Sequence, residues 1–206
     1  MPAAGEGEGG EGGGSSSSLS ATIVPPHTRT IVELGMGDGR LIEALARGDP
    51  QTVYVGIELD LEQCAQAKSR TSGLQNVFVV QGSFADIVPR FPDGSIDGFI
   101  AVLPDPSFID EKKEEQWRPF YQTMYAKLKK PGAFRLVTEL TDELLQPVGK
   151  DEFDLWTVWL IETFRSMGFK AVEANEGSPE EYSSGCLDQF RGDPQRIRLL
   201  TLDLVK

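Results

Sequence analysis

The sequence contains few of the residues that build disulfide-stabilised or metal-dependent folds. Its 206 residues include two cysteines, Cys64 and Cys186, and a single histidine, His27. Two distant cysteines exclude a disulfide scaffold and lack the spacing of a structural metal site. One histidine argues against a histidine-rich metal centre and against a Ser-His-Asp triad. We therefore expect a site without a metal ion.

Long apolar runs and an excess of positive charge are also lacking. No stretch of roughly 18 consecutive apolar residues occurs, so the sequence predicts no membrane-spanning helix. The 20 Lys and Arg residues against 32 Asp and Glu give a net charge of −12. This balance excludes steering of nucleic acid by net charge, but it leaves room for a local basic groove. The 39% share of hydrophobic residues is enough for a folded core.

The first residues have a composition of their own. Residues 1–20 contain seven glycines, five serines and no aromatic residue. Such a segment cannot bury enough apolar surface to offset its ordering entropy, so we predict a disordered tail over 1–28 and one folded domain over 29–206. The tail has neither the basic nor the apolar region of a secretory signal, which favours a cytoplasmic location.

Strand-like and helix-like patterns alternate through the remaining chain. Apolar runs predict seven strands, over residues 30–34, 52–57, 77–80, 96–103, 133–137, 170–173 and 197–205. Apolar positions at helical spacing predict helices over residues 40–47, 61–69, 117–128 and 151–167, with Pro119 in the first turn of the third. Repeated strand–helix units predict an α/β fold with a mostly parallel seven-stranded sheet and helices on both faces. Ligands of such sheets bind at the carboxyl ends of the strands.

A glycine-rich loop, Glu33-Leu34-Gly35-Met36-Gly37-Asp38-Gly39-Arg40, joins the first strand to the first helix. Its alternate glycines allow a tight turn and close approach of a ligand to the main chain. The helix start that follows suits a carboxylate or a phosphate. The dinucleotide fingerprint G-x-G-x-x-G is not present, because Arg40 or Ile42 stands at the third glycine position. The loop therefore disfavours NAD.

Polar residues follow the next two strands. Glu58 ends the second strand, where a carboxylate accepts hydrogen bonds from both ribose hydroxyls of a nucleoside. Taken alone, Glu58 is equally well explained as a solvated charge, but the loop and the acid together predict a nucleoside site. Ser83 follows the third strand and either contacts an adenine ring or caps a short helix through Asp86 and Ile87.

Asp105 stands between two prolines after the fourth strand. Pro104 and Pro106 restrict the backbone, so the sequence predicts a carboxylate held at the strand's carboxyl end; the alternative is an ordinary turn residue. Phe108 either stacks on a flat acceptor base or packs against the core, and we favour packing. The tryptophans at 156 and 159 lie on an apolar helix stripe, which predicts core packing.

The loop of Glu33 and three glycines resembles motif I of the class I S-adenosylmethionine (SAM)-dependent methyltransferases. Further segments, read in order over roughly residues 30–142, resemble the tRNA (guanine-N7) methyltransferase family. These segments are Tyr54-Val55-Gly56-Ile57-Glu58, Asn76-Val77, Asp93-Gly94-Ser95-Ile96-Asp97, Pro104-Asp105-Pro106, Leu128-Lys129-Lys130-Pro131-Gly132 and Thr138-Glu139. Motif I is common to many methyltransferases, whereas the Pro-Asp-Pro loop is more specific.

This resemblance implies a single Rossmann-like class I methyltransferase domain, SAM as the cofactor and a guanine N7 of tRNA as the methyl acceptor. It implies that Asp105 is the catalytic residue and that Glu139 faces the substrate, where Phe108 is the candidate stacking residue. The cofactor-binding residues are then Glu33, Gly35, Gly37, Gly39, Glu58 and Ser83. Because N7 has a free lone pair, no general base is obligatory; an amine or hydroxyl acceptor would require one, with Asp105 the first candidate.

Three departures from the family support alternative functions. Ser107 stands where the family has tryptophan, and Ser83 stands where it has an acid. The segment 110–115, Asp-Glu-Lys-Lys-Glu-Glu, is acidic where the family has Lys, Arg and His that hold phosphates. The alternatives are a SAM-dependent methyltransferase acting on ribosomal RNA or a small molecule, and a nucleoside-binding module without catalysis.

Overall fold

The computed structural model describes residues 28–141, 144 and 146–206. Seven strands form one sheet across this part of the chain: β1 (Thr30–Leu34), β2 (Val53–Glu58), β3 (Val77–Gln81), β4 (Ile96–Val102), β5 (Leu128–Thr141), β6 (Lys170–Glu176) and β7 (Ile197–Val205). Their order is β3-β2-β1-β4-β5-β7-β6. The pairings from β3 to β5 are parallel, and β7 is antiparallel to β5 and β6. The predicted α/β fold with a mostly parallel seven-stranded sheet is confirmed.

Helices cover both faces of this sheet: α1 (Arg40–Gly48), α2 (Leu61–Thr71), α3 (Phe84–Ile87), α4 (Glu114–Lys127), α5 (Lys150–Ser166) and α6 (Gly185–Arg191). α1 and α2 share one apolar cluster with Tyr54 of β2, while Val55 belongs to the cluster on the other face, as the alternation of side chains along a strand requires. On that second face, Phe134 of β5 packs against Tyr121 of α4 and Phe164 of α5, with ring centroids 5.8 and 5.9 Å away.

α4 begins earlier than the sequence pattern indicated. A short 3-10 turn, Glu111–Lys113, leads directly into the helix at Glu114. Asp110 starts this turn, because its carboxylate accepts a hydrogen bond of 2.9 Å from the amide of Lys112. Pro119 consequently lies inside the helix, and the prediction that it occupies the first turn is wrong.

Two further features go beyond the predicted elements. β5 extends past residues 133–137 because its antiparallel pairing with β7 continues to Thr141 opposite Ile197. α6 lies in the connection between β6 and β7, hereafter the β6–β7 segment (residues 177–196). Leu187 of α6 shares an apolar cluster with Leu41 of α1 and Val137 of β5, so this segment packs on the face that α1 covers.

The predicted tail over 1–28 lies outside the described residues except for Thr28. Within the described ranges, no helix has the length and apolar character needed to cross a membrane.

Candidate active site

The glycine loop after β1 requires glycine for two separate reasons. Gly35, Gly37 and Gly39 have φ angles of 70°, 56° and 81°, in the left-handed region that other residues rarely adopt. A Cβ at Gly39 would also lie 2.9 Å from the Cβ of Ala67 in α2, whereas a Cβ at Gly35 would meet nothing within 4 Å. Gly39 therefore lets α1 and α2 pack closely, and Gly35 leaves its main chain open to a ligand.

Glu58 connects the end of β2 to this loop. Its Oε2 accepts a hydrogen bond of 2.9 Å from the amide of Gly37. Its Oε1 accepts bonds of 2.8 and 2.9 Å from the amides of Leu59 and Asp60. Because each carboxylate oxygen has two lone pairs, only one lone pair, on Oε2, is left for a ribose hydroxyl. A bond to both hydroxyls requires Glu58 to release a main-chain amide.

Glu33 lies in a cavity of about 360 Å³ beside the glycine loop, hereafter the glycine-loop cavity. The lining includes Gly35, Gly37, Leu103 and the stretch 182–187 of the β6–β7 segment. The Glu33 side chain is 4% exposed, and its Oε2 has no hydrogen-bond partner. Burial, together with the negative charges of Glu58 and Asp38, raises the pKa of Glu33 to about 8. An unpartnered buried carboxyl group is costly, so this cavity favours a ligand with a donor or a positive charge.

Arginine side chains hold the β6–β7 segment in place as a wall of the glycine-loop cavity. Arg191 donates hydrogen bonds of 2.7 Å to the carbonyl of Tyr182 and 2.8 Å to the hydroxyl of Ser178. Arg135 of β5 forms a bidentate pair with Asp203, at 2.7 and 2.8 Å, and reaches the Tyr182 hydroxyl at 3.5 Å. This wall was not predicted from the sequence. Ser184 could have indicated the start of α6, because its hydroxyl caps the amide of Leu187 at 3.1 Å.

Asp105 lies on the turn that follows β4. Leu103 starts this turn with a φ of 51°, and the Asp105 carboxylate caps the next turn by accepting a bond of 2.8 Å from the amide of Ser107. The hydrogen bonding to Ser107 lowers the pKa of Asp105 below its ordinary value. Asp105 is exposed and ionised at neutral pH, which makes it a weak general base and a good electrostatic partner for a cation.

Glu139 lies in a second, larger cavity of about 690 Å³, hereafter the Glu139 cavity. Its walls are the turns after β4, the end of β5 and the start of α5, which contribute Pro106, Ser107, Ile109 and Trp156 among others. Glu139 is 9% exposed, and its Oε2 has no hydrogen-bond partner. Burial is the main cause that raises its pKa to about 7, and the negative charge of Asp105 contributes.

The remaining predicted site residues have structural contacts of their own. The Ser83 hydroxyl caps α3 by accepting a bond of 3.2 Å from the amide of Ala85. Phe108 packs against Phe84 and Phe120, with ring centroids 4.8 and 5.5 Å away, as the packing alternative predicted. Neither Ser83 nor Phe108 lines the two cavities. Among the residues that the structure describes, no group of three or more Asp, Glu, His and Cys could hold a metal ion.

The site thus combines residues from the ends of β1, β2 and β5, the loops after β1 and β4, and the β6–β7 segment, but it does not bring all predicted residues into one cavity. Glu33, Gly35 and Gly37 line the glycine-loop cavity, and Glu58 contacts it through Gly37. Glu139 lines the second cavity. The chain between residues 102 and 107 joins the two, because Val102 lines the first and Ser107 lines the second.

Comparison with known proteins places these features in a family. A family model described as "Putative methyltransferase" matches residues 27–154. The tRNA (guanine-N(7)-)-methyltransferase of Caulobacter sp. (strain K31) is 27% identical over 161 residues, 76% of this chain and 67% of that protein. The protein of the same name from Acinetobacter baylyi is 31% identical over 122 residues, 56% of this chain and 48% of that protein. This chain therefore spans about half to two thirds of the length of these two relatives.

Solved structures share the fold at low sequence identity. An antibiotic-related methyltransferase has a TM-score of 0.64 and 20% identity, covering 90% of this chain and 92% of that one. The 16S rRNA methyltransferase KamB has a TM-score of 0.64 and 17% identity, covering 89% of both chains. At identities of 20% and 17%, these likenesses show a shared fold and nothing more.

Proposed function

Because this chain belongs to the methyltransferase family whose model matches residues 27–154, we propose that it is a SAM-dependent methyltransferase that methylates N7 of a guanine in tRNA. The observation that carries the proposal is the pair of cavities joined by residues 102–107. A donor in one cavity and an acceptor in the other would meet beside Asp105. The tRNA (guanine-N7) relatives support the acceptor, and a tRNA substrate supports a cytoplasmic location.

The glycine-loop cavity fits the polar groups of SAM. Glu33 offers an unpartnered carboxyl oxygen to the ammonium of the methionine moiety, and Glu58 keeps one lone pair for the ribose. Gly35 leaves its main chain accessible, since a Cβ there would meet nothing within 4 Å. When bound, SAM supplies a methyl group on a positively charged sulfonium.

The protein's own contribution is alignment and electrostatics. The strained turn at Leu103 and the hydrogen bond from the Ser107 amide hold an ionised Asp105 carboxylate. Asp105 lies on the stretch of chain between Leu103, which lines the glycine-loop cavity, and Pro106, which lines the Glu139 cavity. A fixed carboxylate there stabilises positive charge on the reacting groups. Its lowered pKa is unsuited to proton removal, and a guanine N7 requires none. Positioning of the reactants accounts for most of the acceleration in such an in-line transfer.

A second candidate function is methylation of a small molecule. The observation that favours it is the lining of the Glu139 cavity, in which four acids outnumber two lysines: Asp110, Glu111, Glu139 and Glu152 against Lys112 and Lys113. These carboxylates repel phosphate groups. The same reaction on ribosomal RNA shares this disadvantage.

Incubation with labelled SAM separates these functions. We expect label in total tRNA, mapped as N7-methylguanosine, and its loss in the Asp105→Asn variant. Label that enters only small-molecule extracts would favour the second candidate. Calorimetric binding of SAM without transfer to any RNA or extract would favour a binding module without catalysis.

A further inference from the structure

The Glu139 cavity has the size and walls of a ligand site in its own right. Its volume of about 690 Å³ falls within the range of roughly 300–1,000 Å³ found for ligand pockets. Its lining comes from the turns after β4, from the end of β5, and from Glu152 and Trp156 of α5. Three elements therefore converge on it at the carboxyl end of the sheet.

Trp156 presents an aromatic surface to this cavity. It is half-buried and packs beside Phe153, with ring centroids 6.0 Å apart. Phe153 is 3% exposed, and the guanidinium of Arg198 lies 5.6 Å from its centroid. Trp156 thus packs against the core, as its helix stripe predicted, and it also lines the cavity.

The polar groups of the cavity suit hydrogen-bond donors and not phosphate. The buried Glu139 oxygen lacks a partner, and Lys113, in the turns after β4, is paired with Asp110 at 3.1 Å. Guanine has two adjacent donors, N1–H and the N2 amine, on its Watson–Crick edge. Methylation at N7 also places positive charge on its ring, which nearby carboxylates stabilise. The acidic lining therefore complements the base of the acceptor.

We propose that the Glu139 cavity holds the acceptor guanine alone, extruded from the RNA, with Trp156 as its stacking surface and Glu139 accepting from its Watson–Crick edge. Enzymes that act on a base commonly extrude it and hold it by stacking and edge hydrogen bonds. The inference rests on the proposed function, because it names how the acceptor of that reaction is bound. Trp156 is a positioning residue here, since it orients the base and takes no part in bond making.

The test compares two tryptophans on the same helix. Trp156→Leu removes the aromatic ring at the cavity. Trp159→Leu removes an indole that packs against Trp117, with ring centroids 6.2 Å apart. With labelled SAM and tRNA, we expect kcat/KM to fall about 10- to 100-fold in Trp156→Leu. Trp156→Phe should recover most of this loss. We expect SAM affinity, measured by calorimetry, to remain within about twofold in all variants, and Trp159→Leu to retain its tRNA activity.

A second measurement uses the wild-type protein and so does not depend on variant folding. A tRNA with inosine at the methylated position lacks the N2 amine but keeps N7. We expect wild-type kcat/KM to be about 10-fold lower on the inosine tRNA than on the guanine tRNA. For Glu139→Gln, the difference in kcat/KM between the two tRNAs should be smaller. Equal activity of wild type on both tRNAs, or equal losses in Trp156→Leu and Trp159→Leu, would overturn this inference while the proposed function stands. Absence of any tRNA methylation by the wild type would overturn both.

Discussion

The amide of Gly37 donates a hydrogen bond of 2.9 Å to Oε2 of Glu58. This bond joins the glycine loop after β1 to the end of β2, its parallel neighbour in the sheet. It makes the shape of the loop depend on the same residue that the sequence predicts as the acceptor for a ribose. Loss of Glu58 should therefore affect both the fold and cofactor binding.

Glu58→Ala leaves the amides of Gly37, Leu59 and Asp60 without their carboxylate partner. We expect the free energy of unfolding to fall by about 1–3 kcal/mol and SAM affinity to fall at least about tenfold. Urea unfolding and calorimetry measure the two effects. Glu62→Ala, at an exposed position in the first turn of α2, is the control and should change neither. Wild-type SAM affinity in Glu58→Ala would contradict the assigned role.

Gly39→Ala should destabilise the protein through both steric contact and backbone strain. The new Cβ would lie 2.9 Å from that of Ala67, at a φ of 81°. We expect the free energy of unfolding to fall by about 1–3 kcal/mol, measured by urea denaturation. Gly73→Ala is the matched control, because a Cβ at Gly73 meets nothing within 4 Å. Equal stability of the two variants would refute the packing argument.

Glu33 should make stability decrease as pH rises. Its pKa is about 8 in the folded protein against an ordinary value of 4.5, so between these values the folded state binds the proton more tightly. The stabilisation is complete below about pH 4.5 and is lost as pH approaches about 8. We expect Glu33→Gln to remove this slope in the cofactor-free protein and to be more stable than wild type at pH 8.5. Urea unfolding across this pH range measures the free energy of unfolding of both proteins. If wild type and Glu33→Gln changed in parallel with pH, this prediction would be wrong.

Glu139 should impose a pH dependence on methyl transfer. With a pKa of about 7, its carboxyl group ionises as pH rises through neutrality and becomes a better acceptor for the guanine edge. We therefore expect wild-type kcat/KM on tRNA to rise between about pH 6 and pH 8. Glu139→Gln should be less active and flat over this interval. A variant profile with the wild-type slope would show that another group titrates.

Predictions from local sequence signals were the most accurate. The family match confirms the methyltransferase family predicted from the glycine loop and the Pro-Asp-Pro turn, and the predicted fold is confirmed. Pro119 was misplaced because Asp110 starts the helical path earlier than the apolar stripe does. α6 was missed because a helix of seven residues is too short for a clear periodic pattern.

The succession of strands and helices along the chain, the need for three glycines and the position of Asp105 after β4 were determined by the sequence itself, because backbone freedom and apolar periodicity are properties of neighbouring residues. Only the tertiary structure decided the rest. Packing of the β6–β7 segment on α1 encloses Glu33, and the start of α5 brings Trp156 beside Glu139. These contacts join parts of the chain that are far apart in sequence. Burial among them leaves one oxygen of each carboxyl group without a partner and raises the pKa values of both groups.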